Sequence, residues 1–192
     1  MLASFVLSTC SRQSASQIDS VVNQSAQGRP LTPACGDDGP TPPLTEGPFY
    51  TPNSPERTSL LEPGMAGTRI VVTGQVLSSN CTPIANALVD FWHTDAQGRY
   101  DNSGYTLRGH QFTDAEGRYR LETIVPGIYP GRTRHLHVKV QAADHPVLTT
   151  QLYFPAEPLN EGDFLFRPDL LMSVQGDDND KQATFDFILG VG

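Results

Sequence analysis

The chain has 192 residues, a net charge of −8 at pH 7 and a pI near 4.9. That length buries one substantial core and requires no second domain; an acidic balance without clustered Lys and Arg excludes a nucleic-acid partner, whose phosphates need such clusters. Glycine and proline, 17 and 16 residues, punctuate short alternating apolar runs, which favours turn-rich antiparallel β structure over a helical bundle.

Met1 to Thr9 resembles the end of a signal peptide, although its apolar stretch is short and no basic residue precedes it. Leu7-Ser8-Thr9-Cys10 resembles a lipoprotein cleavage box, making Cys10 a candidate lipid tether. No apolar run approaches the roughly 18 to 20 residues that span a bilayer. The chain is therefore expected to be soluble or tethered, and exported to a periplasmic, extracellular or lipid-anchored location, with a cytoplasmic one left open. Residues 1–43 are read as signal remnant or tether plus an extended or disordered lead-in rich in Ser, Gln, Gly, Asp and Pro. Cys35 and Cys81 both sit in polar, turn-like settings. In an oxidising compartment they could pair, and spacing alone does not separate that from two free thiols.

The packed domain is expected over residues 44–192, beginning near Thr45. Strands are predicted at Arg69–Leu77, Ala87–His93, Arg118–Thr123, His135–Ala142, Leu148–Phe154 and Thr184–Leu189, an arrangement that reads as an antiparallel sandwich. An internal echo, Thr94-Asp95-Ala96-Gln97-Gly98-Arg99-Tyr100 against Thr113-Asp114-Ala115-Glu116-Gly117-Arg118-Tyr119, predicts two like turns feeding strands. Tyr119 is read as a strand residue, so the echo alone does not tell whether Tyr100 is a ligand or structural.

In His135-Leu136-His137-Val138-Lys139-Val140, alternation puts both imidazoles on one face and Leu136, Val138 and Val140 on the other. The histidines are thus spared from core packing. Tyr100 and Tyr129 precede them, and phenolate is a hard anionic donor whose ordinary pKa of about 10 falls only beside a strong cation. Zinc prefers Cys, His and carboxylate; two tyrosines with two histidines suit Fe(III), and such a centre suits a chelating, electron-rich catechol.

Five blocks then carry a family likeness: Thr45-Glu46-Gly47-Pro48-Phe49-Tyr50; Val89-Asp90-Phe91-Trp92-His93 through Gly98-Arg99-Tyr100; Thr123 through Pro130; Arg132-Thr133-Arg134-His135-Leu136-His137; and Thr149 through Phe154. In that order the chain resembles the intradiol ring-cleavage dioxygenases, which act on catechol, hydroxyquinol and protocatechuate. The resemblance implies an all-β sandwich that binds one Fe(III) through Tyr100, Tyr129, His135 and His137. It implies that a catechol-type ring is cleaved between its hydroxyl-bearing carbons, with O2, to a cis,cis-muconate-type diacid. It further implies that Tyr129 is the ligand substrate displaces, that Arg132 stabilises negative charge developing on the ring, that Gln151 lies beside the iron pocket, and that Tyr50 lines the cavity.

The chain departs from the family's Arg-Pro-Ala-His-x-His in reading Arg-Thr-Arg-His-Leu-His, and the loop from Tyr129 to His135 is short, which implies an open pocket. Gly131 replaces the bulky aromatic of protocatechuate enzymes, and the helical dimerisation segment of catechol enzymes has no counterpart, leaving any homo-oligomer undefined. Arg134 is expected to bind an acidic substituent or face solvent. His93, His110 and His145 are read as structural or exposed, and Trp92 as core. The competing reading is a non-catalytic transthyretin-like binding or carrier module, which shares the Gly-rich turns but does not need Tyr129, Arg132, His135 and His137.

Overall fold

The computed structural model describes Cys35, residues 39–177 and residues 180–192. The described residues belong to one compact unit, Leu31–Gly192; Cys10 and most of the lead-in lie outside them. The strands are β1 (Arg69–Ser78), β2 (Leu88–Trp92), β3 (Arg108–Phe112), β4 (Arg118–Ile124), β5 (His135–Gln141), β6 (Leu148–Tyr153), β7 (Ser173–Gly176), β8 (Asp180–Thr184) and β9 (Phe187–Leu189). One sheet runs β4-β1-β8-β7, with β9 also on β1, and the other runs β3-β2-β5-β6. Their facing sides bury Ile70, Val72 and Val76 from β1, Leu121 from β4, Val89 and Phe91 from β2, and Leu136, Val138 and Val140 from β5. The alternation in β5 therefore commits its aliphatic residues to the core and turns His135 and His137 to the outer side of their sheet.

The sandwich matches expectation; β3, β7 and β8 were not among the expected strands, and three further details differ. First, β1 pairs parallel with both β8 and β9, while the other strand pairs are antiparallel. Second, the single strand expected at Thr184–Leu189 breaks at Phe185-Asp186, where Tyr119 Oη donates to the Phe185 carbonyl (2.8 Å) and the Gln75 N–H donates to Asp186 Oδ1 (2.7 Å). The Phe185 carbonyl lies where a side chain on Gly74 would stand, so only glycine permits this approach. Third, the echo turns share their hydrogen bonds but not their sequel. Asp95 Oδ1 accepts from the N–H groups of Gln97 and Arg99, and Asp114 Oδ1 from those of Glu116 and Arg118. The second turn feeds β4, whereas the first leads into a loop that carries Tyr100.

Cys35 and Cys81 form a disulfide with a Cα–Cα distance of 5.7 Å. From there residues 41–60 run as a strap across the outer side of the β3-β2-β5-β6 sheet. The strap is tied by Thr41 N–H to Ile188 O (2.8 Å), Leu44 N–H to Thr149 O (2.9 Å) and Leu60 N–H to Glu122 O (2.8 Å). At its middle, Tyr50 Oη and Ser54 Oγ both donate to the buried Asp90 carboxylate, at 3.1 and 2.8 Å.

Candidate metal centre

Strand register builds the floor of the site. His137 lies opposite Trp92 on β2 and Gln151 on β6, and Trp92 lies opposite Arg108 on β3. Arg108, Trp92, His137 and Gln151 thus form one row across the sheet, and His135 with its partner Tyr153 joins the same face two residues along. The strap closes over this row, which is why His135 and His137 are only 5% and 4% exposed on the outer side of a sheet.

Two loops bring phenols to the imidazoles. Tyr100 follows the Asp95–Gly98 turn and Tyr129 follows β4; their rings meet edge to face at 5.8 Å. Gly98 and Gly127, each two residues before a tyrosine, hold the loops together, because a Cβ on either would collide with the other loop's backbone. The Gly127 N–H donates to Asp95 O (2.8 Å), and Thr94 Oγ1 donates to Gly127 O (2.9 Å). Tyr100 Oη ends 3.4 Å from His135 Nε2, which is itself 3.2 Å from His137 Nε2.

The two imidazoles are oriented by different means. His135 Nδ1 lies 2.7 Å from the Thr133 carbonyl; a carbonyl only accepts, so Nδ1 carries the hydrogen and Nε2 presents a lone pair. Among the described residues His137 Nδ1 has no hydrogen-bond partner. Packing fixes that ring instead: Trp92 lies parallel to it at 4.8 Å and 7°, and Gly47 (φ +72°) passes over its Cε1. Burial lowers the pKa of His135 to about 4 and that of His137 well below the usual range, so both rings are neutral.

This donor set fits a metal ion. Two donors about 2.1 Å from one ion and roughly 100° apart are separated by about 3.2 Å, the spacing of the two Nε2 atoms. Among the described residues no three His, Cys, Asp or Glu side chains gather as a metal site; the donor beside the two imidazoles is the Tyr100 phenol. Burial pushes the Tyr100 phenol above its ordinary value, with Arg132 and Arg108 opposing the rise; a strong cation would supply the remaining drive to ionise it.

Arg132, Gln151 and Asp163 form a hydrogen-bonded group beside His137, whose cross-strand partner is Gln151. Arg132 Nη2 donates to Gln151 Oε1 (2.7 Å), and Gln151 Nε2 donates to the strap carbonyl of Thr45 (3.0 Å). Tyr50 packs its ring against Trp92 at 4.8 Å and places its hydroxyl on Asp90; burial, then the Asp90 carboxylate, pushes its pKa up to about 12. Its neighbour Phe49 instead touches both loops, stacked on Tyr100 at 4.6 Å and edge-on to Tyr129 at 5.6 Å. Sequence reasoning passed over Phe49 and Gly47, although both lie in the strap block it singled out; Asp163 carried no local signal at all. Arg134 pairs with Glu157 (2.7 Å) and donates to the Pro126 carbonyl. His93 is buried against the Thr94 carbonyl and Thr123 Oγ1, and His110 contacts Ser54, both outside the ligand cluster.

The family profile described as "Dioxygenase" matches residues 45–190. Among curated proteins, the chain is 39% identical over 120 residues to the protocatechuate 3,4-dioxygenase beta chain of Burkholderia cepacia, covering 53% of this chain and 51% of that one. It is 32% identical over 157 residues to catechol 1,2-dioxygenase 2 of Acinetobacter lwoffii, covering 68% and 57%. The chain therefore spans about half the length of these curated relatives. Among solved structures, the dioxygenase domain of a dioxygenase carbohydrate-binding protein fusion from Streptomyces sp. SirexAA-E aligns with a TM-score of 0.78 at 53% identity, over 80% of this chain and 99% of that one. The 3-chlorocatechol 1,2-dioxygenase of Rhodococcus opacus 1CP aligns with a TM-score of 0.74 at 26% identity, over 83% and 76%.

Proposed function

Because the chain belongs to the intradiol ring-cleavage dioxygenase family, we propose that it is a non-haem Fe(III) enzyme that cleaves a small catechol with O2 to a cis,cis-muconate-type diacid. The observation that carries this reading is the convergence of Tyr100 Oη, His135 Nε2 and His137 Nε2 within 3.4 Å of one another's nearest member, with Tyr129 beside Tyr100. Tyr100, Tyr129, His135 and His137 would hold the ion. When bound, ferric iron supplies the Lewis acidity that ionises the phenols and renders a chelated catecholate reactive toward O2.

The protein's own residues then divide the work. Tyr129 would be the phenol that yields its place and accepts a substrate proton, since Phe49 meets it only edge-on at 5.6 Å but stacks on Tyr100 at 4.6 Å. Tyr100, clamped by Phe49, stays. The Arg132 guanidinium stabilises negative charge on the ring as it meets oxygen, and Gln151 holds that guanidinium from the strand below. The strap and Trp92 exclude water from the His137 side. Both atoms of O2 enter the product, so catechol and O2 balance the diacid without a further reductant. The Cys35–Cys81 disulfide supports an exported chain, since such bonds persist in oxidising compartments.

The test is oxygen uptake by the iron-loaded protein with catechol, with the product analysed after isotopically labelled O2. One O2 consumed per catechol and label in both carboxylates support the reading. Absence of cleavage across a panel of catechols would instead favour a binding or carrier module.

A further inference from the structure

Arg132 is held at two points. Its Nε faces both oxygens of Asp163, at 2.8 and 3.1 Å, and its Nη2 donates to Gln151 Oε1 (2.7 Å) and to Tyr153 Oη (3.4 Å). Among the described residues these contacts use Nε and Nη2 and do not involve Nη1. Gln151 is a neutral partner on β6, whereas Asp163 is a carboxylate whose side chain is only 1% exposed.

Asp163 is itself locked in place. Its Oδ2 accepts the Thr133 N–H (2.8 Å) and its Oδ1 the Leu165 N–H (2.9 Å), while Thr133 Oγ1 donates to Asn160 Oδ1 (2.7 Å). Burial alone would raise the carboxyl's pKa; the N–H groups of Leu165 and Thr133, with the Arg132 guanidinium, outweigh it and keep the group ionised. The neighbouring pair, Arg134 with Glu157, is more open, at 23% and 19% side-chain exposure against 14% and 1% for Arg132 with Asp163. A long arginine side chain loses much rotamer freedom to take up one pose, and a buried, backbone-anchored carboxylate is a device that imposes such a pose.

We propose that Asp163 is the positioning residue of Arg132, holding its guanidinium in the orientation from which it acts on the substrate ring. This rests on the reading of Arg132 as an active-site residue of a ring-cleaving dioxygenase. Asp163 touches neither substrate nor metal ligand in this account. Its effect passes through Arg132, so its removal should matter only while Arg132 is present.

The test combines kinetics of the iron-loaded enzyme with a crystal structure of the as-purified variant. In Asp163→Asn, kcat should fall at least tenfold while iron content is kept and anaerobic catechol affinity stays within about twofold. The guanidinium should leave Gln151 in the crystal. In an Arg132→Gln background the same substitution should cause no further loss of kcat. Equal fractional losses in both backgrounds, or an unmoved guanidinium with kcat near that of the parent, would overturn the proposal. If Asp163→Asn does not fold, Asp163→Glu keeps the charge but displaces it by a methylene, and an unchanged kcat there overturns the proposal equally. Should the parent enzyme cleave no catechol, the proposed function fails, and the crystallographic arm still decides whether Asp163 sets the pose of Arg132.

Discussion

Gly98 and Gly127 meet backbone to backbone, and their contact is what places Tyr100 beside Tyr129. An alanine at Gly127 would drive its methyl into the Gly98 amide and the Ala96 carbonyl. Gly127→Ala should therefore destabilise the fold by at least the ~1–3 kcal/mol typical of overpacking and separate the two phenols. Denaturant midpoints and iron content check this; a variant with native stability and full iron would show that the loops are held by something else.

His135 and His93 are both buried, neutral imidazoles, but only His135 lies within reach of the phenols. His135→Ala and Tyr129→Phe should abolish iron binding or turnover. His93→Ala should keep the iron and lower stability by about 1–3 kcal/mol, since Thr123 Oγ1 and the Thr94 carbonyl lose their partner. Metal analysis and catechol cleavage on the three variants decide between ligand and structural roles.

Burial lowers His93 from an ordinary 6.5 to about 4, against the pull of its Thr94 hydrogen bond. Between those values the unfolded chain takes up a proton that the folded chain refuses, so the stability of the metal-free protein should fall as pH drops from about 6.5 to about 4. Above 6.5 this contribution is fully present. A His93→Gln variant should show a shallower acid slope in urea melts, and an unchanged slope would assign the acid sensitivity to other groups.

The Cys35–Cys81 bond closes a loop with a sequence separation of 46, and it lies just upstream of the strap that covers the histidines. In the chain-entropy account, removing such a cross-link costs on the order of 3 to 4 kcal/mol. Cys81→Ser should lower the melting temperature by several degrees, with the deficit reproduced by reducing the parent protein. A variant as stable as the parent would show that the strap is held by its hydrogen bonds, among them those to Ile188, Thr149, Glu122 and Asp90, without the disulfide.

Periodicity made the β5 face assignment legible: Leu136, Val138 and Val140 could be sent inward, and His135 and His137 outward, before any coordinates. β3 was not legible, because Arg108-Gly109-His110-Gln111-Phe112 has no apolar alternation and gains its place by pairing with β2 and by the strap bonds at His110. The parallel pairings of β1 were hidden for a similar reason, being set by long-range register. Phe49 and Asp163 were missed because an aromatic in a turn and an acid in a loop look ordinary until folding brings them to Tyr100 and to Arg132, 51 and 31 residues away along the chain.

The most direct test of the central claim is a visible absorption spectrum of the purified protein with metal analysis, before and after catechol is added without oxygen. The account predicts a red-brown tyrosinate-to-iron band, one iron per chain, and a shift of that band when catechol binds. A colourless protein that takes up no iron on ferric reconstitution, with Tyr100, His135 and His137 intact, would contradict it.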